Sequence, residues 1–172
     1  MTKLLGVILL TSLVFSDITL PDHFSADFTQ IITNTKKKVI NYSGKVYFSD
    51  STLFKWSYLK PTKKEVCTDG SELLVVDHDL EQVSAYYMSK GLDISKVLSK
   101  AKLHSKNIYV AEFEEKKYTI QLDDAKLHSI AYYDELDNKV QIVFDNMQYG
   151  KGKLASQKMK CDYPVAYDVI RG

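Results

Sequence analysis

The sequence predicts a mainly β protein, built from one antiparallel sheet that curves into a barrel-like shape. Apolar and polar residues alternate with a period of two along most of the chain, which is typical of strands with one buried and one wet face. Turn-forming residues separate these runs at strand-length spacing, as in a meander that forms a barrel or a strongly curved sheet. The strand–helix–strand rhythm of a parallel α/β sheet is missing from the sequence.

Five runs carry this alternation most clearly, and each predicts a strand. Their apolar faces hold, in chain order, Ile40, Tyr42, Gly44, Val46 and Phe48; Phe54, Trp56 and Tyr58; Val83, Ala85 and Tyr87; Tyr118, Ile120 and Leu122; and Val140, Ile142 and Phe144. The predicted turns are Ser49–Ser51, Asp69–Gly70, Glu114–Lys116, Asp123–Asp124, Leu136–Asn138 and Gly150–Gly152. Three consecutive lysines, Lys36–Lys38, predict a hairpin tip in solvent.

One helix is predicted among the strands, over about Ile94–Leu103. Asp93 is placed to cap it, and its lysines lie toward the C-terminal end, where the helix dipole favours them. Its apolar stripe consists of Ile94, Val97, Leu98 and Ala101. Because so short a helix is not stable alone in water, the stripe must cover an apolar surface. We expect that surface to be the open side of the curved sheet.

A signal peptide, residues 1–16, is predicted ahead of a single domain, residues 17–172. Lys3 gives a basic start, Leu4–Phe15 is apolar, and small or moderate residues precede Asp17. A buried helix or a membrane anchor is the alternative, although the run is short for a bilayer span. A lipid-modified bacterial protein needs a cysteine at the cleavage point, and none lies there, so we expect export as a soluble protein.

The two cysteines, Cys67 and Cys161, leave two alternatives open. A disulfide persists in the oxidising compartment that an exported protein enters, and closing so long a loop stabilises by about 4–5 kcal/mol. Two buried, unpaired thiols are the other alternative. The sequence alone does not decide between them, since it does not show whether the two Cα atoms are close enough.

Charge and motif content argue against several classes of function. Lysine and arginine total 23 and acidic residues 22, a balance that disfavours a general nucleic-acid binder. The histidines form no metal-binding pair at helical spacing, and no serine or cysteine has the context of a nucleophile. The segment Asp77–Asp79 flanks a histidine with carboxylates, but adjacent residues of a strand or turn point in different directions. We therefore expect neither an enzyme nor a metal or cofactor site.

The apolar content predicts a hydrophobic cavity. A half-closed sheet of this size has more apolar inner face than one short helix can fill. The excess surface favours an apolar ligand.

Four elements in register resemble the outer-membrane lipoprotein carrier protein family, LolA type. They are Phe24–Gln30, similar to F-x-A-x-F-x-Q; Gly44–Val46 followed by Leu53–Trp56, similar to L-F-x-W; Pro61 with Thr68–Gly70 and Leu73; and Asp77–Val83, similar to D-P-x-L-E-Q-V. They cover the first half of the predicted mature chain. Beyond Lys90 the sequence shows only compatible strand patterning.

The resemblance implies an unclosed antiparallel β-barrel with short lid helices over a cavity for lipoprotein acyl chains. It implies a monomer in the periplasm that takes lipoproteins from an inner-membrane lipoprotein-releasing ABC transporter and gives them to an outer-membrane acceptor. Phe54 and Trp56 occupy the L-F-x-W positions, which belong to the cavity and its rim in the family, with plain core packing as the alternative. Further candidate lining residues are Phe28, Val46, Phe48, Leu73 and Val75, together with Val97 and Leu98 of the helix.

Two departures from the family concern the lid. Asp50 stands where the family has an arginine that ties the lid helix shut, and Arg171 is the sole arginine of this chain. Lys55 is a candidate replacement, although a lysine lacks the forked geometry of arginine. The amphipathic helix that precedes the first motif in the family is also missing, since only Asp17–Asp22 remain here. We therefore expect a smaller or more easily opened lid.

Three other functions remain as alternatives. The same cavity suits a periplasmic binding protein for another amphiphile, such as a glycolipid. A β-rich structural or adhesion module requires the aromatic side chains to fill a closed core instead. An enzyme is the least supported of the three.

Overall fold

Twelve strands and two short helices make up the described part of the chain. The computed structural model describes residues 18–50, 52–68, 72–87 and 94–172. The strands are β1 (His23–Thr33), β2 (Val39–Ser49), β3 (Leu53–Lys60), β4 (Lys64–Thr68), β5 (Glu72–Asp77), β6 (Gln82–Tyr87), β7 (Lys102–Ser105), β8 (Ile108–Phe113), β9 (Lys116–Asp123), β10 (Lys126–Tyr133), β11 (Lys139–Gly150) and β12 (Asp168–Arg171). The helices are α1 (Ile94–Ser99) and α2 (Ser156–Met159). The predicted signal peptide, the cap Asp93 and the turn Asp69–Gly70 lie outside the described residues.

All twelve strands belong to one unclosed sheet, which confirms the predicted fold class. Their order is β12-β6-β5-β4-β3-β2-β1-β11-β10-β9-β8-β7, so β12 and β7 form the two edges. The sheet is antiparallel except at one edge, where β12 pairs with β6 in parallel. A hairpin cannot make a parallel pair, and β12 reaches that edge through the C-terminal segment that follows β11.

The helix α1 is shorter than the predicted span Ile94–Leu103. It ends at Ser99, and Lys102 and Leu103 belong to β7, where they pair with Val110 and Tyr109. The prediction was wrong at this end because the ladder with β8 provides backbone partners that the helix would otherwise need to supply. Leu103 is 54% exposed, as its place on an edge strand allows.

Strand register assigns the side chains to two faces of the sheet. Across four strands Ala26 lies opposite Val46, Val46 opposite Trp56, and Trp56 opposite Val66, so their side chains share a face that we call the inner face. The buried apolar cluster of the molecule lies on this face, and α1 adds Ile94, Val97 and Leu98 to it. The opposite, outer face carries Tyr47, Lys55 and Cys67 by the same register.

The C-terminal segment between β11 and β12, residues 151–167, crosses the outer face and is bonded to it. We call this segment the strap. Cys161 forms a disulfide with Cys67 across a sequence separation of 94 residues, with Cα atoms 5.7 Å apart. The Lys55 ammonium donates to the Lys160 carbonyl at 2.8 Å, and the Asp162 amide donates to the Glu65 carboxylate at 2.9 Å.

The strap thus covers the outer face with covalent and polar bonds. Lys158 stacks on the Tyr47 ring and Met159 is buried. A loop of this length stabilises the folded state by about 4–5 kcal/mol in the chain-entropy description.

Gly44 sits where β2 and β3 approach most closely. A Cβ atom there would lie 1.9 Å from the Ser57 carbonyl oxygen and 3.0 Å from the Phe28 ring. The register of β2 on β3 shifts between Ser43 and Gly44, and such a bulge increases local twist. The missing side chain therefore allows the strand crossing that curves the sheet around its inner face.

Replacing Gly44 with alanine should destabilise the protein, because backbone at Ser57 cannot move aside as a side chain would. We expect Gly44→Ala to lower the free energy of unfolding by about 1–3 kcal/mol, measured by urea denaturation. Ser43→Ala is the neighbouring control and should change it by less than about 0.5 kcal/mol. Equal stabilities of the two variants would show that the close approach does not constrain the fold.

Candidate functional site

The inner face is a continuous apolar surface that extends over most of the sheet. Its buried side chains come from β1, β2, β3, β8, β9, β10 and β11. They are Phe24, Ala26, Phe28, Val46, Phe48, Trp56, Tyr109, Ala111, Tyr118, Ile120, Leu122, Leu127, Ile130, Val140, Ile142 and Phe144. The buried polar side chains among the described residues, Ser49, Thr68 and Asp77, are not part of this cluster.

Aromatic rings form the centre of the inner face. The Phe28 ring meets Trp56 edge-on at a centroid distance of 4.9 Å and Tyr58 edge-on at 5.1 Å. Trp56 also lies 6.0 Å from Phe144, which links the rings of β3 to those of β11. Rings packed in this way provide a broad contact area with few polar atoms.

The helix α1 covers this face with three side chains. Val97 and Leu98 are 0% and 2% exposed, and Ile94 is also buried. All three belong to the same cluster as Phe28 and Trp56, and the helix contacts β8. The apolar stripe therefore lies on the inner side of the sheet, as its spacing predicts.

The tyrosine hydroxyls at the margin of this face are neutral. The Tyr58 hydroxyl donates to the Gln30 side-chain oxygen at 3.0 Å. Burial, reinforced by nearby Tyr118 and Asp134, raises the pKa of Tyr132 to about 12, and burial raises the pKa of Tyr58 well above its usual value. The inner face consequently carries no phenolate at physiological pH.

The structure places the nine predicted lining residues at two levels of burial. Seven of the nine belong to the inner cluster or pack against it. Phe28, Val46, Phe48, Trp56, Val97 and Leu98 are buried in it, and Phe54 is half-buried against it. Leu73 and Val75 share the face by register. Leu73 pairs with Thr68, which in turn lies opposite Phe54. Val75 pairs with Val66, which in turn lies opposite Trp56. Both are half-buried, so this margin of the inner face is partly open.

Neither Asp50, at the position of the family arginine, nor Lys55, its candidate replacement, is bonded to α1 in the contacts of the described residues. The Asp50 carboxylate pairs with Lys153 of the strap, and the Asp50 amide donates to the Asp22 carbonyl at 3.1 Å. Lys55 lies on the outer face, where it pairs with Glu65 at 3.0 Å. The suggestion that Lys55 replaces the family arginine was therefore wrong, because alternate residues of β3 point to opposite faces.

More than half of the buried inner face comes from β8–β11, which the sequence did not single out as lining. Tyr118, Ile120 and Phe144 do show the period-two pattern, so the signal was present without a motif to mark it. The strap had no comparable signal apart from Cys161, because its contacts depend on where a loop crosses a distant surface.

The other polar clusters have structural partners. Burial raises the pKa of Asp77, but hydrogen bonds from Lys64, Leu80 and Asp79 outweigh that effect and the pKa lies below its usual value. The His78 ring lies 3.2 Å from the Tyr167 hydroxyl. Glu65 approaches the two cysteine sulfurs closely enough for a metal site, but these sulfurs are joined in the disulfide.

The fold and this face define a half-open β-barrel protein with an apolar interior under a short helix. The sequence model of the family described as Outer membrane lipoprotein carrier protein LolA matches residues 21–158. The chain is 35% identical over 148 residues to the outer-membrane lipoprotein carrier protein of Campylobacter jejuni subsp. jejuni, an alignment that covers 86% of both chains. This chain belongs to the outer-membrane lipoprotein carrier protein family.

A further relative agrees with this assignment, and one solved structure shares the fold. The outer-membrane lipoprotein carrier protein of Wolinella succinogenes is 31% identical over 126 residues, which is 73% of each chain. A crystal structure of a conserved protein from Thermus thermophilus shares the fold, with a TM-score of 0.56 at 13% identity, over 89% of this chain and 92% of that one. In the described residues, none of the helices has the length and apolar character to cross a membrane.

Truncating Leu98 should test whether α1 is part of the packed interior. We expect Leu98→Ala to lower the free energy of unfolding by about 2–5 kcal/mol, since the side chain is buried and its removal leaves a cavity. Lys106→Ala, at an exposed position in the β7–β8 turn, should change it by less than about 0.5 kcal/mol. A similarly small effect of Leu98→Ala would contradict the seating of the helix.

Proposed function

We propose that this protein carries lipoproteins through the periplasm by holding their acyl chains against the inner face. An inner-membrane lipoprotein-releasing ABC transporter supplies the lipoproteins, and an outer-membrane acceptor receives them. The single observation that supports this role best is the continuous apolar inner face, covered by a six-residue helix instead of a second sheet. The family assignment supports the same role.

The energetics of acyl chains explain why a carrier of this shape is needed. Each buried CH₂ group contributes about 0.8 kcal/mol, so a lipid-modified protein does not leave a membrane for water unaided. The carrier must offer comparable apolar burial and still release the chains. A broad aromatic and aliphatic surface meets the first need. The ion pair of Lys64 and Asp77 lies beyond Tyr58 at its margin, and the buried cluster itself contains only apolar and aromatic side chains, which prevents a desolvation penalty.

The helix α1 is the part that the lipid displaces. It has under two turns, so it has little stability apart from its three buried side chains. Displacing those side chains uncovers the part of the cluster that α1 covers next to β8, and acyl chains then take the place of Ile94, Val97 and Leu98. The protein therefore exchanges one apolar cover for another.

The half-buried margin serves as the entrance. Phe54, Leu73 and Val75 lie on the inner face but are only partly covered, so they meet an incoming chain before the fully buried residues do. The three buried side chains of the helix contribute most of what holds it on the sheet. We expect its opening to respond to the amount of apolar ligand.

Export to the periplasm is supported by the chemistry of the chain. The disulfide between Cys67 and Cys161 requires an oxidising compartment to persist. The predicted signal peptide, residues 1–16, provides the route. The proposed carrier works as a monomer and needs no catalytic residue or cofactor, because binding and release are both physical steps.

Introducing a charge at the entrance should block lipid handling without unfolding the protein. We expect Phe54→Glu to keep a cooperative unfolding transition but to lose most transfer of a triacylated lipoprotein between donor and acceptor membranes, because a buried carboxylate is costly and chains must pass it. Melting temperature and transfer are measured on the same preparation.

Val143→Glu is the matched control for Phe54→Glu. Val143 is also half-buried in a strand, but it lies on the outer face, opposite Thr29 and Ser129. The control should transfer lipoprotein at the normal rate after correction for its folded fraction. Normal transfer by Phe54→Glu would contradict the proposed entrance, whereas loss of folding only in Phe54→Glu would assign the residue to the core instead.

A further inference from the structure

One end of the inner face carries polar groups, in contrast to its apolar middle. Gln30 pairs with Tyr42 across β1 and β2, and the rings of Tyr42 and Tyr58 lie 5.8 Å apart. On the other side of the sheet, the rings of Tyr118 and Tyr132 lie 5.2 Å apart. We call these five residues, Gln30, Tyr42, Tyr58, Tyr118 and Tyr132, the polar end.

The curvature of the sheet brings the tyrosines of the polar end together. Tyr58 on β3 and Tyr132 on β10 are separated by three strands, yet both pack against the inner cluster. Burial raises the pKa of Tyr58, and the nearby hydroxyls of Tyr132 and Tyr42 raise it further. The hydroxyls of the polar end are therefore neutral hydrogen-bond donors at physiological pH.

The hydroxyls of Tyr42, Tyr118 and Tyr132 are not used within the fold. Unlike Tyr58, which donates to Gln30, they make no hydrogen bond to any residue in the part of the chain that the structure describes. In that part, only Thr62 has a polar side-chain atom that is both fully buried and without a partner. The three tyrosine oxygens therefore reach accessible space at the end of an apolar surface, where a ligand can meet them.

The charge next to the polar end is neutralised. Lys64 pairs with Tyr58 across β3 and β4, and its ammonium forms an ion pair with Asp77 at 2.6 Å. The Asp77 carboxylate also accepts hydrogen bonds from the amides of Asp79 and Leu80. A phosphate or carboxylate ligand would need a cation that is not already paired. Neutral hydroxyl donors instead suit an uncharged acceptor, such as a carbonyl oxygen.

The polar end borders the entrance proposed above. Asp77 follows Val75 of that entrance by two residues along β5, so the two side chains lie on the same face. Asp77 pairs with Lys64, and Lys64 pairs with Tyr58. A ligand whose chains enter at Val75 therefore brings its linking groups next to Tyr58.

We propose that the polar end recognises the glycerol ester carbonyls of an acylated ligand. This inference rests on the proposed carriage of acyl chains, because it assigns a site to the groups at which those chains begin. The tyrosine hydroxyls donate to the ester carbonyls, and the chains run over the inner face toward Phe48, whose ring stacks on Phe24 at 4.9 Å. Tyr42 and Phe48 are six residues apart on β2, so this apolar path is about 20 Å long.

The preference for an ester over an ether form of the same amphiphile tests the inference. One probe is a triacylated lipopeptide and the other is dioctanoylphosphatidylglycerol, which separates a lipoprotein source of the esters from a phospholipid source. Each is compared with a counterpart whose two glycerol esters are ethers, which lack the carbonyl acceptors. Isothermal titration calorimetry with the full-length mature protein gives the four Kd values.

Removing two hydroxyls should reduce the preference for the ester form. We expect Tyr42→Phe/Tyr132→Phe to reduce it on the order of 10-fold, because one neutral hydrogen bond changes affinity by about two- to ten-fold. The matched control is Tyr47→Phe/Tyr133→Phe, which removes two hydroxyls from the outer face of the same two strands. The control should keep the preference of the unaltered protein, and both variants should keep its melting temperature.

The outcomes separate this inference from the proposed function. It is overturned if the two double variants have equal ester preference, if the unaltered protein binds esters and ethers equally, or if it binds neither ester probe. Binding of the phospholipid with ester preference, but not of the lipopeptide, would contradict lipoprotein carriage and still support the ester site.

Discussion

The packing of α1 on the inner face is the interaction on which the rest of the structure depends. A twelve-stranded unclosed sheet leaves its apolar side open, and a helix of only six residues covers it with Ile94, Val97 and Leu98. The sheet must curve strongly for so small a cover to suffice. Gly44 allows that curvature because β2 and β3 can approach there without a side chain between them.

The two faces of the sheet are covered by different kinds of bond. The strap is fixed on the outer face by the disulfide of Cys161 and by polar contacts such as that of Lys55 with Lys160. The three buried side chains of the inner cover are held by dispersion and the hydrophobic effect, which an apolar ligand can replace at little net cost. The strap therefore holds β2–β6 in place while the inner cover stays exchangeable.

The part of the fold that follows local periodicity could be predicted from the sequence. Alternation along β2 and β3 assigned Val46 and Trp56 to the same face, and helical spacing assigned Val97 and Leu98 to one stripe. The C-terminal end of α1 was missed because Leu103 pairs with Tyr109 in the ladder between β7 and β8. Local helix propensity does not report such a strand pairing. The β12 pairing and the strap were unpredictable for the same reason, since a loop crossing a remote face leaves little trace in the residues that form it.

In the candidate site too, local sequence patterns predicted part of the arrangement, and long-range contacts decided the rest. The family motif identified Phe54 and Trp56, and strand register extended the face to Leu73 and Val75. The motif could not show where Asp50 and Lys55 point, and both turned out to bind away from the lid: Asp50 pairs with Lys153, and Lys55 pairs with Glu65. Neither Asp50 nor Lys55 therefore ties the helix to the sheet.

The central claim is that acyl chains occupy the inner face, and the single tryptophan of the chain makes this measurable. Trp56 is 7% exposed and lies on that face, so its fluorescence reports on a ligand that binds there. A triacylated lipopeptide with brominated acyl chains should quench Trp56 in a saturable manner, whereas the same peptide without acyl chains should not. Binding of the brominated lipopeptide with unchanged Trp56 fluorescence would place the lipid elsewhere and contradict the account.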